Sequence, residues 1–291
     1  MIIIMDITTK QTLRDHRCVD CFRRGYERLL SKHQITDEAI EQAVRDQLEA
    51  YIEANSLSSP EMQQQLSWHF SRLTGIADPF VEEKRISNSQ ADNLYHEWKP
   101  KVKRADNPEL LTLRLAIAGN IMDYGAHQHF DLEQTITKVL DAEFAIDHSA
   151  KLLREIKKAE KVLYLCDNAG EIYFDKLFIE TLQHPDLTAV VRGFPSLNDV
   201  TIQDAFQAGL HEVCKVIDNG SDAPSTILND CSHEFLEAFQ QADLIISKGQ
   251  GNLEGLLPVA DERMYFLLMA KCDVIADLLE VNRGDIIVFN P

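Results

Sequence analysis

The sequence predicts an α/β protein, a doubly wound and mostly parallel sheet in the second half of the chain preceded by an α-helical half. Three observations carry this. After about residue 160, short apolar runs recur: VLYL (162–165), LTAVV (187–191), EVCKVI (212–217), DLIIS (243–247), MYFLLMA (264–270) and DIIVF (285–289). Helical segments lie between them, such as IYFDKLFIETL, SHEFLEAFQQA and DVIADLLEV. Continuous apolar strands are buried on both faces, and the intervening helices supply the cover. Before residue 160 the apolar spacing is helical throughout, with no strand-like alternation.

Taken in order, the first half offers four clear helix starts. Thr36 is a capping hydroxyl followed by the acids Asp37 and Glu38, and Ile40, Val44, Leu48 and Ile52 then recur at helical spacing. Ser59-Pro60-Glu61 opens a second helix that ends near Gly75. Asn107-Pro108 opens a third, ELLTLRLAIAGNIMDYG, apolar on most of its circumference and therefore expected to be buried. Asp131 opens a fourth, expected to run through AEFAIDHSAKLLREIKK. The expected division is a helical domain over 1–155 and an α/β domain over 156–291. No Pro/Gly/Ser-rich linker separates them, so the two are expected to pack together.

A chain of 291 residues can bury a sizeable core. Its formal charge of -18 works against phosphate-backbone contacts, which need clustered Lys and Arg, so no nucleic-acid partner is expected. An anionic substrate would need local positive charge to overcome that field, from a cleft lysine or a metal ion. The start, MIIIMDITTK, does not read as a signal peptide, and no run approaches the ~20 apolar residues of a membrane span. Six cysteines, several inside apolar runs, read as free thiols in a reducing cytoplasm.

Open parallel sheets bind ligands at the carboxyl ends of their strands. After VLYLC comes Asp167-Asn168-Ala169-Gly170-Glu171; after LTAVV comes Arg192-Gly193, then Asn198-Asp199; after DLIIS comes Lys248-Gly249-Gln250-Gly251-Asn252. Each cluster has a plain reading by itself: a turn for DNAG, a helix cap for Asn198-Asp199, a solvated strand end for Lys248. Together they concentrate oxygen ligands and a cation on one rim. Asp167 and Asp199 supply two carboxylates and Asn168 an amide oxygen, a set suited to a hard divalent ion. Lys248 is then expected to meet phosphoryl oxygens as a point charge, with the amides of residues 249–251 forming an anion nest. No Cys-rich or His-rich set converges there, and the ten histidines show no ligand spacing beyond His127 and His129. A dinucleotide or adenosyl-methionine site is disfavoured: no GxGxxG follows the first strand, and the second ends in Arg192 where a ribose-binding acid would stand. There is neither a P-loop nor a GxSxG elbow.

These segments, with Gly119-Asn120-Ile121-Met122-Asp123-Tyr124-Gly125 and Lys248 through Glu254, resemble the DUF89 family of metal-dependent damage-control phosphatases. Cys18-Val19-Asp20-Cys21 resembles the paired cysteines of its prokaryotic-type branch. The resemblance implies a helical domain beside a Rossmann-like α/β domain. It also implies hydrolysis of sugar phosphates or damaged phosphometabolites with Mn, Ni, Co or Mg. Carried onto this sequence, Asp167, Asn168 and Asp199 would be metal ligands and Lys248 a phosphate contact. Asn120 and Asp123 would line the cleft, or else make an internal helix–helix hydrogen bond. Glu171, Arg192, Asn198, Asn252 and Glu254 match motif positions, as substrate contacts or as support for the ligands. Cys18 and Cys21 could bind metal, act in redox chemistry or simply pack; the packed or site-adjacent reading is preferred. The expected mechanism is attack by metal-activated water, with Asp167 as a covalent nucleophile the runner-up. Two further readings stay open: a carboxyl methyltransferase and a non-catalytic metal or metabolite sensor.

Overall fold

The computed structural model describes residues 15–54, 57–120 and 132–291. Asp123, His127, His129 and the opening MIIIMDITTK lie outside the described residues. The chain runs α1 (His16–Lys32), α2 (Glu38–Ala54), α3 (Ser59–Thr74), α4 (Val81–Val102), α5 (Pro108–Gly119), α6 (Leu132–Asp141), β1 (Phe144–Asp147), α7 (Ser149–Ile156) and β2 (Val162–Leu165). It continues with α8 (Glu171–Leu182), β3 (Leu187–Val191), α9 (Ile202–Gln207), β4 (Lys215–Asp218), α10 (His233–Gln241) and β5 (Leu244–Lys248). The last elements are α11 (Gly249–Leu256), β6 (Met264–Met269), α12 (Asp273–Leu279) and β7 (Ile286–Phe289).

The seven strands form one sheet in the order β1-β7-β6-β5-β2-β3-β4, parallel except for the β6–β7 pair. The chain winds outward from β2 through β3 to β4, then crosses back to β5 on the other side of β2. Between β2 and β5 the winding reverses, which opens a crevice at their carboxyl ends. Residue parity divides the core. Val162 and Tyr164 of β2 face one layer with α4, α5 and α8, whereas Leu163 and Leu165 face the other with α10, α11 and α12. α5 is sequestered as its composition predicts and lies along α8. Helices α1–α3 hold a separate small core around Leu48, Leu66 and Phe70. No helix among the described residues is long and apolar enough to cross a membrane.

Several local expectations need correction. The helix expected from Asp131 through Lys158 is α6, then strand β1, then α7. β1 pairs in parallel with β7 at the sheet edge and is only half-buried on alternate residues. Four residues with no flanking Gly or Pro are too few for their alternation to interrupt a helical reading. One helix cap differs as well. Asp37, not Thr36, caps α2, accepting from Ala39 N at 2.9 Å. α3 begins at Ser59 as expected, capped by Ser58 in a reciprocal box with Glu61. The strand at EVCKVI begins only at Lys215, after a short 3-10 turn.

Candidate active site

The loops after β2 and β3 are joined by backbone hydrogen bonds. Ala169 N donates to Asn198 O and Val200 N to Asp167 O, each at 2.9 Å, so Asp167, Asn168 and Asp199 are held side by side. All three are buried. The Asp167 Oδ2 atom accepts from Asn120 Nδ2 at 2.9 Å and from Asn168 Nδ2 at 2.7 Å. Both amides also donate to Glu171 Oε2, at 2.9 Å each. Arg192, buried at the end of β3, donates from Nε to Asp199 Oδ2 at 2.6 Å and from Nη2 to Asn252 Oδ1 at 3.0 Å. Asn252 Nδ2 in turn donates to Lys248 O at 2.8 Å and Cys166 O at 3.1 Å, fastening the start of α11 to β2.

The third loop roofs this group. Gly249 has φ +78°, and a Cβ there would fall inside the Asp167 carboxylate. Gly249→Ala is therefore expected to lower the melting midpoint, because the conformation is strained for any L side chain. It should also displace Asp167 and weaken divalent-ion binding by about tenfold or more, readable by titration calorimetry.

Lys248 departs from its expected place. Its ammonium is fully buried and donates to Asp175 Oδ1 at 2.5 Å, Glu171 Oε1 at 2.7 Å and Ala116 O at 2.9 Å. All three N–H donors are thereby used inside the protein. Burial by itself would lower its pKa, but Asp175 and Glu171 outweigh that and hold it above its ordinary value. Lys248 thus sits beneath the Asp167, Asn168 and Asp199 cluster as the counter-ion of two carboxylates. Asp175 was not singled out in the sequence; an acid one turn after Glu171 on an otherwise apolar helix was the available signal. Tyr164 also donates to Asp175, at 2.6 Å.

A second cation, Lys271, follows β6 on the same rim, and its charge acts on Asp167. Its backbone N–H donates to Gln250 Oε1 in the glycine turn at 3.2 Å. It too went unnoticed in the sequence, because only strand order brings the end of β6 beside that of β5.

Glu254 does not join the cluster. It lies two residues beyond Asn252 on α11, hence on another face, and accepts from Gln250 Nε2 at 3.1 Å. Burial pushes its carboxyl from 4.5 up to about 7. Between those values the unfolded chain releases this proton while the native state keeps it, so stability falls as pH rises through the window. Glu254→Gln is expected to remove that slope and to be more stable than wild type by about 1–3 kcal/mol above pH 7, seen as urea midpoints from pH 5 to 8. Cys18 lies near Glu254 and Cys272, its thiol pushed by burial up to about 11, while Cys21 is exposed. All six cysteines are free thiols. Asn198 contributes its carbonyl to the loop pairing.

The donors fit a hard divalent ion. They are all oxygen, and Asp167 is held well above the usual carboxylate range by its burial, then by Glu171 and Asp199 beside it. A cation among these carboxylates would relieve that crowding. Among the described residues no cluster of three His, Cys, Asp or Glu has ligand geometry, so Asn168 would be needed to complete a set of three.

Comparison with known proteins agrees with this architecture. A family model described as the damage-control phosphatase ARMT1-like domain matches residues 15–287. An uncharacterized protein of Methanocaldococcus jannaschii is 39% identical over 227 residues, 75% of each chain. A damage-control phosphatase of Pyrococcus horikoshii is 38% identical over 220 residues, 74% of this chain and 76% of that one. Another, of Archaeoglobus fulgidus, is 33% identical over 260 residues, covering 86% and 90%. The crystal structure of a DUF89 family protein from Pyrococcus horikoshii superposes with a TM-score of 0.86 at 31% identity, over 95% of this chain and 98% of that one. Likeness of this extent in both sequence and fold makes the chain a member of the DUF89 family, with the damage-control phosphatase ARMT1-like domain.

Proposed function

We propose that this protein is a divalent-metal-dependent phosphatase acting on small phosphorylated metabolites, sugar phosphates or damaged phosphometabolites, in a reducing cytoplasm. The observation that carries the reading is the crowding of Asp167, Asp199 and Glu171 under a glycine roof at the β2–β5 switch point. The phosphatase names borne by the archaeal relatives support it.

In this reading Asp167, Asn168 and Asp199 hold Mn, Co, Ni or Mg. The bound ion would supply Lewis acidity at the phosphoryl oxygens and a nucleophilic water. Arg192 orients Asp199 through the 2.6 Å bond from Nε. Asn120 and Lys248 fix Glu171, whose carboxylate lies within one amide of Asp167 and can orient a polar group of the substrate. Lys271 adds positive charge on the rim where a phosphoryl group would enter. Trapping a phospho-enzyme by rapid quench would instead favour Asp167 as the nucleophile.

The test is a matrix of metals against phosphate esters on purified protein. Turnover of a small phosphate ester that vanishes with EDTA and returns with Mn²⁺ or Co²⁺ is the expected result. Turnover indifferent to chelation would defeat the metal requirement. Metal binding without turnover of any ester would shift the assignment to a sensor.

A further inference from the structure

The loops that carry the ligand residues are fastened from outside the α/β layer by one side chain. Gly170 closes the turn after Asp167-Asn168 with φ +76°, and its N–H donates to Asn88 Oδ1 of α4 at 2.7 Å. A Cβ on Gly170 would lie 3.0 Å from Ser87 Cβ and 3.1 Å from Ser87 O, so α4 rests directly on that turn. The other end of the same amide, Asn88 Nδ2, donates to Asp204 Oδ1 at 2.9 Å. Asp204 stands in the first turn of α9, and its Oδ2 accepts from Thr201 N at 3.0 Å and Thr201 Oγ1 at 2.7 Å. Thr201 is two residues beyond Asp199. Lys84, one turn before Asn88, approaches the same Oδ2 at 3.7 Å while pairing with Asp78 at 2.8 Å.

Asn88 is 1% exposed, and both ends of its amide are spent on these two loops. The chemistry is selective. The amide offers an acceptor to Gly170 and, on a second atom, a donor to Asp204; aspartate would set two carboxylates against each other, and leucine would orphan both partners. Metal ligands must be held to within about half an ångström of productive geometry, and besides their backbone pairing the two loops are bridged by Arg192, whose Nη2 lies 3.9 Å from Asp167 Oδ1.

We infer that Asn88 is a positioning residue for the metal site, locking the Asp167-Asn168 loop and the Asp199 loop in fixed register from the helical side. This rests on the metal reading above. It acts through Gly170 and Asp204 and touches neither ion nor substrate.

The test is Mn²⁺ affinity by titration calorimetry, with the Co²⁺ absorption spectrum as a report on ligand geometry. Asn88→Ala is expected to weaken Mn²⁺ binding about 10–100-fold and to alter the Co²⁺ spectrum. Asn88→Asp should do likewise. The exchange Asn88→Asp with Asp204→Asn should return affinity to within about threefold of wild type. The carboxylate now at position 88 accepts from Gly170, while the amide at 204 donates to it and still accepts from Thr201. Tyr95→Phe, which removes the α4–α8 bond from Tyr95 Oη to Glu180, should cost stability without moving affinity or spectrum. Wild-type affinity in Asn88→Ala, or a folded exchange variant that fails to recover, overturns the inference. A wild type that binds neither Mn²⁺ nor Co²⁺ removes the metal reading and this inference with it, a pattern unlike either of those.

Discussion

Lys248→Met is expected to destabilise the protein by about 3–5 kcal/mol, because it strands two buried carboxylates without their counter-ion. Glu171 and Asp175 are fully buried, and the ammonium bonds both of them. Burial already raises the Asp175 carboxyl to about 6, with Lys248 pulling the other way. The loss should be readable as a fall in the urea midpoint at pH 7. Neutralising the partners as well, in Lys248→Met with Glu171→Gln and Asp175→Asn, should recover most of it, because an uncharged hydrogen-bonded set needs no buried cation. A lysine that merely met the substrate phosphate would behave otherwise. Its removal would leave the midpoint unchanged and lower turnover by about 10²–10³-fold. An unchanged midpoint in Lys248→Met would return the residue to that role.

Asp167→Asn should abolish divalent-ion binding and raise the stability of the metal-free protein. The asparagine oxygen still accepts from Asn120 and Asn168, so the local hydrogen bonds survive. What disappears is a carboxylate that burial, Glu171 and Asp199 all oppose. Since the wild-type group must lose its proton to bind an ion, wild-type affinity should rise with pH. Asp199→Asn should lose metal but also lose stability, because it takes the carboxylate partner from the buried Arg192. Elemental analysis and thermal melts of dialysed protein decide both points. Full metal content in Asp167→Asn would remove it from the ligand set.

The α/β class and the rim of interest were legible in the sequence because both are local properties. VLYL and LTAVV coincide with β2 and β3 because an apolar run bounded by polar turns has few alternatives to a buried strand. Asp167-Asn168 and Asn198-Asp199 could be placed at strand ends for the same reason. β1 was illegible: at the sheet edge it alternates over four residues between two helices, and only its pairing with β7 makes it a strand.

What depends on distance along the chain was decided by the tertiary structure alone. Lys248 read as a cation offered to a phosphoryl group until α8 brought Glu171 and Asp175 beneath it, 77 and 73 residues away. Asn88 carried no signal in the sequence, because its partner Asp204 lies 116 residues on. Residue types and spacing determine which groups end a strand. Strand order and helix packing determine which of them meet, which are buried, and therefore which charges must be neutralised within the protein and which remain for a ligand.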